Sequence, residues 1–137
     1  MQQPIFEIIT VGNEILIGKT LNTNAQWLAK RITVLGGVVR RITCVRDEVE
    51  EIASSIREAL DRGSHFVITT GGLGPTFDDK TLEGIAEALG VELKVHGEAL
   101  RMVEEKYHRY VEEGRIKSAE LTSYRVKICL LYTSDAA

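Results

Sequence analysis

The sequence predicts an α/β fold, a three-layer α/β/α arrangement with a mostly parallel sheet between helices. Three features predict it. Apolar, β-rich runs alternate four times with stretches of helical periodicity. The first run, Ile5–Val11, is mostly apolar rather than alternating, as in a parallel strand covered on both faces. Glycine-rich stops punctuate the chain at Gly12, Gly36-Gly37, Gly63 and Gly71–Gly74.

Each element has its own justification. Residues 22–35 read as the first helix: Asn22, Thr23 or Asn24 can cap it, and Leu28, Ile32 and Leu35 recur at helical spacing. Val38–Val45 is the second strand. Residues 47–62 form the clearest helix, with Val49, Ile52, Ala53, Ile56 and Leu60 as one stripe. Asp47 can serve as its N-cap, with Glu50 in capping-box position. Residues 65–70 are the third strand, 79–89 the third helix, 91–95 a short fourth strand and 97–113 a long, charged fourth helix. Residues 116–127 show no clear period.

Composition narrows the class of function. The chain has 137 residues, enough for one domain with a buried core. A net charge of −3 argues against nucleic-acid binding by bulk electrostatics, and Arg40, Arg41 and Arg46 read as a solvated strand edge. No apolar run reaches a membrane span and no signal peptide opens the chain, so a cytoplasmic location with no membrane partner is expected. Cys44 and Cys129 form neither a disulfide framework nor a zinc site and read as thiols in a reducing compartment. Trp27 reads as core or interface. Tyr107, His108 and Tyr110 read as a packing face or as a partner face in the expected homo-oligomer.

In such sheets the ligand sits beyond the carboxyl ends of the strands. Three loops leave those ends: residues 12–19, 46–47 and 71–79. The third runs Gly71-Gly72-Leu73-Gly74-Pro75-Thr76-Phe77-Asp78-Asp79. Its glycines let the backbone approach a ligand, its N–H groups can face an anion, and the helix that follows adds its positive end. Thr70 and Thr76 can add hydroxyl donors. The plainer alternative is a tight connection in which Asp78 or Asp79 only caps the helix.

Carboxylates favour the ligand reading. Glu14, Asp47, Asp78 and Asp79 fall on these three loops. Acidic groups beside a phosphate loop make sense when a divalent cation bridges them to phosphate or when one acts as a base. For Asp47 the capping role stands as an equal alternative; Glu14 has no capping role. The stretch Gly12–Thr20 is a decoy for a P-loop: five residues, three of them apolar, separate Gly12 from Gly18-Lys19-Thr20, where that motif needs four.

Two motifs carry a resemblance to a known family. Ile9-Thr10-Val11-Gly12-Asn13-Glu14-Ile15-Leu16 with Gly18, Asn22, Thr23, Asn24 and Ala25 resembles the opening of the CinA N-terminal domain. Gly71-Gly72-Leu73-Gly74-Pro75-Thr76 with Asp78, Asp79 and Thr81 resembles its glycine loop. The resemblance covers about residues 5–127 and implies the fold of the molybdopterin-binding MoaB/Mog domains. It places Asp79 and Thr81 at the ligand-binding aspartate and threonine, and Asp47 at the second family aspartate. It implies a metal-dependent ADP-ribose pyrophosphatase that yields AMP and ribose 5-phosphate. The amidase domain that full-length members add has no counterpart in these residues, so that activity is not expected. The family continues past Lys127 with more sheet and a Gly-Pro-rich segment, whereas residues 128–137 resemble none of it. That tail reads as an artefact on a truncated reading frame, which leaves 1–127 as an incomplete domain.

The resulting expectation is hydrolysis of a nucleotide pyrophosphate. Thr70, Gly71, Gly72, Gly74, Pro75, Thr76, Asn13, Asn24 and Thr81 would bind substrate. Asp79, Asp47 and Glu14 would be catalytic, and Asp79, Asp78 and Glu14 would hold magnesium, manganese or cobalt. Two alternatives use the same loop: a molybdopterin-binding protein of molybdenum cofactor biosynthesis, and a non-catalytic module for a nucleotide or pterin phosphate.

Overall fold

The computed structural model describes residues 2–132. Its main sheet is built from β1 (Ile5–Val11), β2 (Val38–Val45) and β3 (Phe66–Thr70), all parallel, in the order β2-β1-β3. β1 is central, and Glu7 to Val11 are all buried. That accounts for the continuous apolar run: the strand has no solvent face.

Helices cover both faces. On one, α2 (Thr23–Val34) places Ala25 and Ile32 against Ile8, with Phe6, Val39 and Ile68 around them. On the other, α3 (Val49–Asp61) and α4 (Thr81–Leu89) pack on Ile9, Val11 and Val45 through Ile52, Ile56, Ile85 and Ala88. This is the expected α/β/α sandwich. α3 and α4 approach closely because Gly84 has no side chain; a Cβ there would lie 2.4 Å from Ile52 Cγ2.

The helix starts differ from the sequence expectation. Asn22 does cap α2, its Oδ1 accepting from the Ala25 amide at 3.3 Å. Asp47, however, does not cap α3. The N-cap position is Glu48, with no side-chain cap bond, and the Asp47 carboxylate turns to another loop. Likewise neither Asp78 nor Asp79 caps α4, whose N-cap position is Lys80. One element was missed: the loop after β1 contains a single helical turn, α1 (Asn13–Leu16).

The fourth strand is not part of the main sheet. β4 (Leu93–Val95) pairs antiparallel with β5 (Leu130–Tyr132) in a separate two-stranded sheet. Between them run α5 (Gly97–Glu112) and a short α6 (Ser123–Lys127), which residues 116–127 did not announce by any periodicity. Tyr107 and Tyr110 of α5 meet edge to face at 6.2 Å, and Arg125 and Arg115 lie over their rings. The aromatic face thus packs within the chain. Trp27 is not core, being 64% exposed.

The tail set aside in the sequence is partly integrated. Cys129 is fully buried, its carbonyl accepts from the His96 amide at 2.9 Å, and β5 completes the small sheet. Residues 133–137 of that tail lie outside the described residues. Among the described residues, no helix is long and apolar enough to cross a membrane. Cys44 and Cys129 are free thiols, and burial pushes both pKa values up.

Candidate functional site

Because the three sheet strands are parallel, the loops after β1, β2 and β3 emerge at one edge. Side chains tie them together there. Asn13 Oδ1 accepts from the Asp47 amide at 3.4 Å, and Asp47 Oδ1 accepts from the Lys80 amide at 3.3 Å. Asp47 on the second loop therefore bridges the first and the third.

The third loop begins with two left-handed residues, Gly71 at φ 85° and Gly72 at φ 62°. Only glycine takes these values without strain, and only glycine fits. A Cβ on Gly71 would lie 2.1 Å from the Val11 carbonyl oxygen; one on Gly72 would lie 2.2 Å from Thr81 Oγ1 and 2.7 Å from Asp47 Oδ1. Thr81 sits beneath the turn, fully buried, donating from Oγ1 to the Gly71 carbonyl at 2.7 Å and from its amide to the Gly72 carbonyl at 3.2 Å. Thr81 thus supports the loop from inside.

The rest of the loop is organised by Asp79. Its Oδ2 accepts from the Thr76 amide at 3.0 Å and from the Thr76 hydroxyl at 2.6 Å. Gly74 lies against it, with room for no Cβ: the nearest Asp79 oxygen would be 2.5 Å away. The Thr76 hydroxyl donates to Asp79, so here it braces the loop. Pro75 and Asp78 lie exposed on the same loop.

The two aspartates have opposite environments. Burial, reinforced by the negative fields of Asp79, Glu14 and Asp78, pushes Asp47 up, against the Lys80 N–H bond. The Thr76 hydroxyl, the Gly74 and Thr76 amides and the Lys127 charge hold Asp79 below the usual carboxylate range, against some burial. The two carboxylates on neighbouring loops are thus pushed in opposite directions by their surroundings.

Beside the loop lies a cavity of about 140 Å³. Its walls are mixed: the hydroxyls and amides of Thr10, Thr20, Asn22, Thr23, Asn24 and Thr70 alternate with the apolar Val11, Ile15 and Leu21, and Gly71 and the exposed Glu14 also line it. Thr10 and Asn22 exchange hydrogen bonds at 3.1–3.3 Å, and Thr70 donates to Thr10 at 3.4 Å. Asn24 and Thr70, two of the residues expected to bind substrate, both line this cavity. Thr10 was missed as a site residue, although a buried threonine at the carboxyl end of an apolar strand is the signal that could have found it. Asn22 was read only as a cap. The amides of Lys19 and Thr20 donate back to the Glu14 carbonyl at 2.9 and 3.1 Å, so the decoy segment does not wrap an anion as a P-loop does.

The expected cation set is not assembled as a chelate. Among the described residues, no three His, Cys, Asp or Glu side chains come close enough to hold one metal ion. Glu14, Asp78 and Asp79 share an edge, and Asp79 uses one oxygen, Oδ2, on Thr76.

The glycine turn and its Thr/Asn cavity have counterparts elsewhere. A family model described as a "Probable molybdopterin binding domain" matches residues 7–131. A protein of Sulfurisphaera tokodaii is 51% identical over 125 residues, 91% of this chain and 45% of that one. One of Saccharolobus solfataricus is 59% identical over 101 residues, 74% of this chain and 37% of that one. The chain therefore spans less than half the length of these curated relatives. Among solved structures, CinA of Thermoplasma acidophilum, described as of unknown function, superposes with a TM-score of 0.84 at 41% identity, covering 96% of this chain and 72% of that one. MoaB of Pyrococcus furiosus, described as a tungsten cofactor synthesizing protein, gives a TM-score of 0.60 at 23% identity over 84% of this chain and 69% of that one, a likeness of fold alone.

Proposed function

The chain belongs to the family described as a probable molybdopterin binding domain, and on that premise we propose that it binds a molybdopterin-type pterin phosphate at the Gly71–Asp79 loop. The observation that carries this is the left-handed Gly71-Gly72 turn, whose first glycine lines a cavity that presents hydroxyls and amides among apolar side chains. The turn brings backbone N–H groups to where a phosphate can sit. Thr10, Asn22, Asn24 and Thr70 offer donors and acceptors that suit the edge of a neutral, polar heterocycle. Asp47 and Asp79, with their unequal proton affinities, would flank the phosphate. Molybdopterin supplies, when bound, a phosphate ester that a partner enzyme or this site could activate.

The ADP-ribose pyrophosphatase reading has less behind it. The matched family is described by pterin binding, and none of the relatives above is described as a hydrolase. Among the described residues, the carboxylates do not form a ready cation chelate. The test is a titration of the folded chain with molybdopterin and, separately, with ADP-ribose, the latter with magnesium, manganese or cobalt and assayed for AMP. Saturable pterin binding that weakens in Asn24→Ala, with no AMP formed, supports the proposal. Metal-dependent AMP release without pterin binding overturns it in favour of the hydrolase.

A further inference from the structure

The glycine loop is held from behind by a residue of the C-terminal segment. Lys127, the last residue of α6, directs its ammonium at the carbonyl oxygens of Thr76 and Asp79. It sits 3.6 Å from Glu83 Oε1 in the first turn of α4, and its side chain is only 17% exposed. α6 is itself anchored. Thr122 caps it by accepting from the Arg125 amide at 3.4 Å, and Arg125 donates at 2.8 Å to the carbonyls of Ser118 and Glu120 while lying over the Tyr107 ring.

The two gripped carbonyls matter because a trans peptide points its C=O and the next N–H in opposite directions. Among the described residues no peptide is cis. The Asp79–Lys80 peptide is therefore pinned at both ends, its oxygen by Lys127 and its N–H by Asp47 Oδ1 at 3.3 Å. The Thr76–Phe77 peptide is held at its oxygen, so the Phe77 N–H faces away from Lys127. A half-buried ammonium on two carbonyls is a charge-assisted restraint.

We infer that Lys127 is a positioning residue for the phosphate loop: by fixing the Thr76–Phe77 peptide it aims the Phe77 N–H, and by fixing the Asp79–Lys80 peptide it holds the loop on Asp47, without touching the ligand. The inference rests on the phosphate-loop reading above for its purpose, but its mechanism is testable without any ligand.

The experiment compares the full chain with Lys127→Met and Lys127→Arg by amide hydrogen exchange, then by titration with inorganic pyrophosphate. In Lys127→Met, exchange across residues 76–80 should rise about tenfold or more while β1 stays protected, and pyrophosphate affinity should fall by a similar factor. Lys127→Arg, which keeps the charge, should recover most of the loop protection. Unchanged exchange at 76–80 in Lys127→Met overturns the inference, as does a loss of protection spread equally over β1. If loop protection responds as expected but the parent chain binds no pyrophosphate, Lys127 still orders the loop and it is the phosphate reading that fails.

Discussion

Glu7 and Arg62 join the middle of the central strand to the end of α3 through two parallel hydrogen bonds, Nε to Oε1 at 3.0 Å and Nη2 to Oε2 at 2.7 Å. Ser64 adds a third at 2.8 Å, so a glutamate that is 1% exposed in an apolar strand is fully satisfied. The Arg62 bonds, helped by Ser64, hold the Glu7 carboxyl below its usual range despite burial. A depressed carboxyl stabilises the fold above its unfolded pKa, and that contribution is lost as pH falls through the folded one. Stability should therefore drop below about pH 4. Glu7→Gln should cost about 2 kcal/mol at pH 7, roughly 8 °C in melting midpoint, and should flatten the acid limb. Urea melts of both proteins at pH 7 and pH 4 check this; an equal acid loss in the variant would assign it elsewhere.

Asp47 has the opposite sign. Burial and three neighbouring carboxylates push its pKa up, so its ionised form opposes folding at neutral pH. Asp47→Asn keeps an oxygen for the Lys80 amide and removes the charge. The variant should gain roughly 0.5 kcal/mol at pH 7, allowing for solvent screening of a half-buried group, and nothing below about pH 3. Pterin binding should weaken in the same variant. A carboxylate that costs stability and is kept for binding is the pattern expected of a functional site. Thermal melts at both pH values, paired with the titration, decide it; a loss of stability at pH 7 would show Asp47 to be structural.

What the sequence could and could not show follows the range of the forces involved. β1 and β2 fall on the expected residues because each is a local run of strand formers, and the Asn22 cap is likewise local. The cap expected for α3 is absent because the local pattern of Asp47 fits capping while its actual partner, Lys80, depends on how loops meet; Asp79, for which capping was only the plainer alternative, likewise turns to Thr76. β4 reads as a strand, but nothing near it in sequence states that its partner is β5 rather than the main sheet. Lys127 escaped altogether: its contacts lie some fifty residues back, and a lysine at a helix end has an ordinary explanation in the helix dipole.

The loop glycines should differ in tolerance in a set order. Gly71→Ala puts a methyl 2.1 Å from a backbone oxygen of β1 at φ 85°, and neither the strand nor the turn can yield. Gly72→Ala meets the side chains of Thr81 and Asp47, which can shift a little. Gly74→Ala has no positive φ and meets only the Asp79 carboxylate. Losses of about 3, 2 and 1 kcal/mol are expected in that order, from the left-handed strain plus the clash. Denaturant melts of the three variants test the ranking, and a reversal of Gly71 and Gly74 would overturn the described turn.

Thr81 separates support of the loop from contact with the ligand. Its hydroxyl is buried and donates to the Gly71 carbonyl at 2.7 Å, where family resemblance alone would put it on the ligand. Thr81→Val keeps the shape but strands that carbonyl, at a cost of about 1–2 kcal/mol. Thr81→Ser keeps the hydrogen bond and loses one methyl, about 1 kcal/mol. If Thr81 acts only through the turn, pterin affinity should fall in Thr81→Val in step with amide protection at Gly71–Gly72 and stay near the parent value in Thr81→Ser. Should affinity collapse in Thr81→Val while the turn remains protected, the hydroxyl must reach the ligand, and the loop must rotate on binding to expose it.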